Sequence, residues 1–179
     1  PWPYLAPLIA LAAALAAVGL YFAVTRTNIE NFGGSAAPSA RSAEPARLAA
    51  VGAFDPQGND GEHDAKAGLA TDGDLATAWD TETYDNFAAT KNGVGLVLRA
   101  DRPVRLTQLI VSSPSRDVRA EIQAGQSRLG PFDPVSPERT LGPRTAFTIK
   151  SPTARYYVVW ITEIPPFAAA SISEVGGRR

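Results

Sequence analysis

The run Ala70-Thr71-Asp72-Gly73-Asp74-Leu75-Ala76-Thr77-Ala78-Trp79 decides how the rest of the chain is read. Two aspartates flank a glycine, and a threonine follows shortly after. Glycine reaches the left-handed backbone that a tight turn needs, while Asp and Thr side chains hydrogen-bond the turn's own N–H groups. The same oxygens are the hard ligands that Ca²⁺ gathers in sets of about six to eight. No Lys or Arg lies between Asp72 and Glu82, and carboxylates packed this closely repel one another unless a cation or N–H donors relieve them. A self-capped turn and a chelating turn are both open here. The pair Asp72 and Asp74 suits chelation better than the flanking of a sugar ring that glycosidase chemistry requires.

Outward from this turn the pattern is β. Candidate strands are Leu48–Phe54, Gly93–Arg99, Arg102–Ser113, Asp117–Ala124, Arg144–Lys150, Ala154–Ile164 and Ala169–Val175, each bounded by Gly, Pro, Asn, Asp or Ser. Val118, Ala120, Ile122 and Ala124 alternate with Arg119, Glu121 and Gln123, the mark of a strand with one wet face. Seven short strands without a long 3.6-residue period predict an all-β antiparallel sandwich or jelly roll over residues 48–179. Trp160, in a candidate strand, and Trp79, at the end of the decisive run, are read as core.

Composition removes several classes of function. The 179 residues carry 17 Lys plus Arg, 18 Asp plus Glu, one His, no Cys and no Met, for a net charge of -1. Thiol nucleophiles, Cys-ligated metals and disulfides are excluded. No basic run is present to displace counterions from nucleic acid. His63 alone rules out multi-His metal sites, and a lone loop His among carboxylates is ordinarily just solvated. Gly93-x-Gly95 lies in a strand with no helix after it, so it is no phosphate cradle. These exclusions favour a binding or structural role over catalysis.

Charge is uneven. Nine of the 18 acids fall within residues 55–85, offset only by Lys66, whereas residues 86–179 carry a net positive charge. An EF-hand does not explain the acids, because aligning Gly61 to the loop glycine puts Pro56 at the first ligand position. Residues 1–24 carry no Asp, Glu, Lys, Arg or His, and Tyr4–Val24 is long enough to span a bilayer core as a helix, at about 31 Å. Trp2 and Tyr4 at one end, and Tyr21 and Phe22 at the other, suit the headgroup level. A single-pass membrane helix is expected at residues 1–24. Residues 25–47, rich in Ser, Ala, Pro, Gly and Asn, read as a disordered tether reaching on the order of 25 Å.

The decisive run resembles the discoidin, or coagulation factor 5/8 type C-like, family of galactose-binding-like domains. Its pattern A-x-D-G-D-x-x-T-x-W is met by Ala70, Asp72, Gly73, Asp74, Thr77 and Trp79. The resemblance implies a jelly roll with Trp79 in the core and a structural calcium held by Asp72, Asp74 and Thr77. The closing run Ser171-Ile172-Ser173-Glu174-Val175 is similar to the family's last strand, which implies Glu174 as a further ligand. Phe54–Glu62 and Gly93–Leu98 look like the discoidin-like domains placed outside the membrane after a single span, in transmembrane Ser/Thr kinases and MviN-type cell-wall proteins of bacteria. That likeness implies topology and carries over no activity.

Carbohydrate-binding relatives present aromatics on loops at one end of the sandwich, and Tyr84, Asn86 and Phe87 occupy such a loop. The expected function is therefore non-catalytic binding of a cell-envelope glycan outside the membrane. The alternative is a protein-interaction or structural module of a larger cell-wall synthesis or signalling protein. An envelope hydrolase ranks third. Exposed aromatics with polar neighbours at one loop end favour a glycan, and a flat apolar patch on a sheet face favours a protein partner.

Overall fold

The computed structural model describes residues 44–58, 62–150 and 152–179. The expected membrane helix at residues 1–24 and most of the expected tether lie outside these residues. Among the described residues no helix is long and apolar enough to cross a membrane. The described chain forms β1 (Pro45–Ala46), β2 (Leu48–Phe54), β3 (Trp79–Asp80), β4 (Val94–Val104), β5 (Gln108–Ser112), β6 (Arg119–Gly125), β7 (Asp133–Pro134), β8 (Arg139–Thr140), β9 (Thr145–Thr148), β10 (Ala154–Glu163), β11 (Ser171–Ile172) and β12 (Glu174–Arg178).

Two antiparallel sheets make the sandwich. One runs β1-β12-β5-β9, and the other β2-β4-β10-β6-β7, with β8 also on β6. A small third sheet pairs β11 with β3. The core lies between the main sheets and is filled by alternate residues. Ala120 and Ile122 of β6, Leu109 and Val111 of β5, Phe147 of β9 and Tyr157, Val159 and Ile161 of β10 are all fully buried. Each large apolar side chain so placed contributes roughly 1.5–3 kcal/mol relative to leaving it in water. Tyr157 also closes the turn after β4: its hydroxyl donates to the Val104 carbonyl at 2.7 Å and accepts from the Leu106 N–H at 3.3 Å.

Besides Ala169–Val175, which splits into β11 on β3 and β12 on β5, the strand reading fails at three places. Arg102–Ser113 is not one strand, because β4 runs on to Val104 and β5 begins at Gln108, with buried Leu106 in the turn between them. Residues 45–46, assigned to the tether, pair with Arg178 and Gly177 and so belong to the sheet. Trp160 is the third. It lies on the outer face of β10, half-buried, rather than in the core with Trp79.

A glycine strip explains the position of Trp160. A Cβ on Gly93, whose φ is 152°, would lie 2.2 Å from the indole ring, and a Cβ on Gly95 would lie 3.0 Å from it. The ring therefore rests flat on the β4 backbone. Phe54 packs beside it at 5.8 Å between centroids, and Phe132 meets Phe54 edge-on at 5.1 Å. On this same outer face Val97 and Val158 are fully buried. The sheet thus has apolar packing on both sides, which a reading of one wet face does not anticipate.

Candidate functional site

The Asp72–Thr77 turn is built from its own side chains. Gly73 takes a φ of 85°, a backbone that favours glycine. The Asp72 carboxylate accepts the Asp74 N–H at 2.9 Å and the Thr77 hydroxyl at 2.8 Å. Those two donors, the backbone N–H first, hold the Asp72 carboxyl below the ordinary carboxylate range. Asp74 Oδ1 accepts the Ala76 N–H at 2.9 Å, and the Thr77 hydroxyl also reaches the Asp74 carbonyl at 3.0 Å.

Glu174, at the start of β12, joins this turn across 101 residues: its Oε2 accepts the Gly73 N–H at 2.9 Å. The four expected ligands Asp72, Asp74, Thr77 and Glu174 therefore meet at one turn. Among the described residues, no group of three or more His, Cys, Asp or Glu is placed to hold a metal ion. The donor set fits a hard cation only with backbone carbonyls supplying the remaining oxygens.

The expected sugar platform is corrected in part. Tyr84 and Phe87 are buried, 8% and 2% exposed, and their rings meet edge-on at 5.0 Å in the core. The cause is local. Asn86 caps a four-residue helix, Phe87–Thr90, by accepting the Ala89 N–H at 3.3 Å, and that turn of helix rotates Phe87 inward. Asn86 itself is exposed.

Tyr84 is held by a buried carboxylate. Its hydroxyl donates to Glu62, which is 1% exposed and also accepts the Glu82 N–H at 2.5 Å. Burial first, and the adjoining Glu62 carboxylate second, push the Tyr84 phenol well above its ordinary range. Lys91 balances the cluster, pairing with Asp55 and standing 3.9 Å from Glu62. The Trp79 indole donates to the Glu62 carbonyl at 2.6 Å. The predicted core ring is thereby fixed, fully buried, behind the acidic loops.

An aromatic at this end does face solvent, and the sequence reading passed over it. Phe167 is 77% exposed and has a φ of 58°, a left-handed backbone uncommon for a residue with a bulky side chain. Two hydrogen bonds frame it: its N–H donates to the Tyr84 carbonyl at 2.8 Å, and the Tyr84 N–H donates to the Ala168 carbonyl at 2.9 Å. The ring thus sits on a loop clamped to the one that carries Asp85 and Asn86, both exposed. Its signal was Ile164-Pro165-Pro166-Phe167, where two prolines stop β10 and pass an aromatic to a connection. His63 is on the same side of the molecule, with Nδ1 2.9 Å from the Asp80 carbonyl and Nε2 3.3 Å from Glu82. Neither contact gives it a nucleophile to activate.

No protein-family model matches the sequence. Solved structures share its fold. The truncated AlyQ structure with CBM32 and alginate lyase domains aligns at a TM-score of 0.57 and 15% identity, over 76% of this chain and 33% of that one. A pectin binding carbohydrate binding module aligns at 0.54 and 14% identity, over 77% and 93%. A Ruminococcus gnavus GH29 fucosidase mutant in complex with fucose aligns at 0.51 and 14% identity, over 63% and 22%. The chain thus spans a third or less of the two enzymes but nearly all of the separate module. At 14–15% identity these likenesses show a β-sandwich fold shared with carbohydrate-binding modules.

Proposed function

We propose that this domain is a non-catalytic glycan-binding module, held outside a membrane by a single-pass anchor at residues 1–24, with Phe167 as the ring on which a sugar stacks. The observation that carries the reading is the exposed, backbone-constrained Phe167 clamped beside Asp85 and Asn86. A sugar offers an apolar face for a ring and hydroxyls for polar neighbours, and Asn86 and Asp85 supply donors and acceptors of the right kind. The likeness to a pectin binding carbohydrate binding module supports the choice of ligand class. The cell-envelope setting rests on the apolar Tyr4–Val24 stretch and on the likeness of Phe54–Glu62 to domains displayed after a span.

Affinity electrophoresis tests it directly. Full-length chain in an uncharged detergent is run through gels containing soluble pectin, arabinogalactan or peptidoglycan fragments. Retardation in at least one gel, lost in Phe167→Ala, is the expected result. Equal mobility in all gels, or retardation that survives Phe167→Ala, overturns the reading.

Calcium at Asp72, Asp74, Thr77 and Glu174 is a separate proposal, supported by the meeting of Glu174 with the turn. A thermal midpoint equal in EDTA and in millimolar CaCl₂ would sink it. The protein-partner reading is favoured by one feature, the outer-face cluster of Phe54, Phe132 and Trp160 beside the loop that exposes Leu129.

A further inference from the structure

The far end of the sandwich, reached along the β4–β10 ladder from Val94 to Val104, has the opposite chemistry. There Arg47, Arg102, Arg105 and Arg178 are exposed, and no ion pair joins them to any described residue. Two more arginines are inserted into the structure. Arg179 reaches Glu44 through Nη2 at 2.5 Å, yet its Nε is buried and has no partner. Arg155, on the bulge between Ala154 and Tyr156, likewise has a buried Nε without a partner. These are the two such side-chain atoms found among the described residues. A buried donor left unbonded is unfavourable, so both mark a place short of acceptors.

Between β1 and the end of β4 lies an open cavity of about 420 Å³, lined by Arg47, Arg102 and Arg179 together with Glu44 and Asp101. Glu44 is engaged by Arg179. Asp101 is the remaining acidic side chain in the lining, beside Arg47 and Arg102, neither of which has an ion-pair partner among the described residues. Planar guanidinium forks match the paired oxygens of a phosphate group, and they stay charged at every physiological pH. A neutral sugar would leave these charges uncompensated.

We propose that this cavity is a phosphate-binding site, taking either the phosphodiester of an anionic lipid headgroup or phosphate free in solution. The site is independent of the glycan reading. It lies at the other end of β4 from Phe167 and shares no residue with it.

Full-length chain in uncharged detergent is heated with sodium phosphate, with dihexanoylphosphatidylglycerol, or with sodium chloride at matched ionic strength. At about tenfold excess over the dissociation constant, phosphate chemistry raises the unfolding midpoint by about 3 °C or more over the chloride control. The rise disappears in the Arg47→Gln/Arg102→Gln double variant and persists in Phe167→Ala. A rise with both ligands identifies the phosphate group itself as what is bound, a rise with the lipid alone assigns the headgroup, and a rise with phosphate alone assigns the free anion. Two results overturn the proposal: no rise with either ligand, or a rise that the double variant retains.

Discussion

The two ends of the β4–β10 ladder treat charge in opposite ways. At the Phe167 end three acids are taken up by partners within the protein: Glu62 holds Tyr84, Asp55 holds Lys91, and Glu82 meets His63. The Asp72 turn works likewise, using both carboxylate oxygens on its own donors. At the other end Arg47, Arg102, Arg105 and Arg178 stand free, and two buried guanidinium nitrogens lack acceptors. Charge at the first end therefore shapes loops that carry a ring, whereas charge at the second is available to a partner.

If this contrast holds, substitutions at the acidic end lower stability and those at the arginine end do not. The largest effect is expected for Trp79→Ala, at about 3–5 kcal/mol, the range for truncating a large buried aromatic. Denaturant unfolding with an unchanged midpoint would show that the ring is dispensable. Glu62→Ala is next at about 2–3 kcal/mol, because the Tyr84 hydroxyl and Glu82 N–H lose a buried charged acceptor. Wild-type stability in this variant would mean that the acids are as idle as the free arginines.

A pH series sharpens the same point at Asp72. Its folded value is depressed by the Asp74 N–H and the Thr77 hydroxyl, so folding binds fewer protons there than unfolding. Its contribution is complete above the unfolded value of about 3.8 and fades as pH falls through the lower folded value. Between about pH 5 and 2, Asp72→Asn is expected to lose stability less steeply than wild type. Parallel acid limbs would show that the turn is not sustained by this charge. The smallest effect belongs to Arg102→Ala, within about 0.5 kcal/mol of wild type in the absence of phosphate. A larger loss would place Arg102 among the structural charges and erase the contrast between the ends.

Much of the scaffold was legible because local pattern and burial agree. Leu48–Phe54 is a strand with the expected bounds, and the alternation from Val118 to Ala124 sorts buried from wet residues as read. Glu174 was reachable only through family resemblance, since nothing local links it to a turn 101 residues away. The two tryptophans show where pattern stops. Both lie in strands, but which face is core depends on what covers the sheet, and Gly93 and Gly95 make room for Trp160 on the outer side.

The loop aromatics were misjudged for a related reason. Tyr84 and Phe87 look free in a polar stretch, yet a buried carboxylate and a cap at Asn86 turn them inward. Phe167 looks like an ordinary residue after two prolines and is the ring left outside. The arginine end was invisible to a linear reading because its members come from segments as distant as Arg47, Arg102, Arg155 and Arg179. Only the sheet order brings them together.

The two-residue pair of β1 with β12 has a mechanical consequence. Pro45 and Ala46 lie against Arg178 and Gly177, and the Arg179 N–H donates to the Glu44 carbonyl at 3.0 Å. A pull on the chain ahead of Glu44 is carried first by this short edge strand. Its few rungs open before the load reaches β2, which is paired with β4 through six residues. Stretching the chain ahead of Glu44 would then lengthen the connection by a few residues and leave the sandwich folded, so β1 acts as a slack element that gives way before the core does.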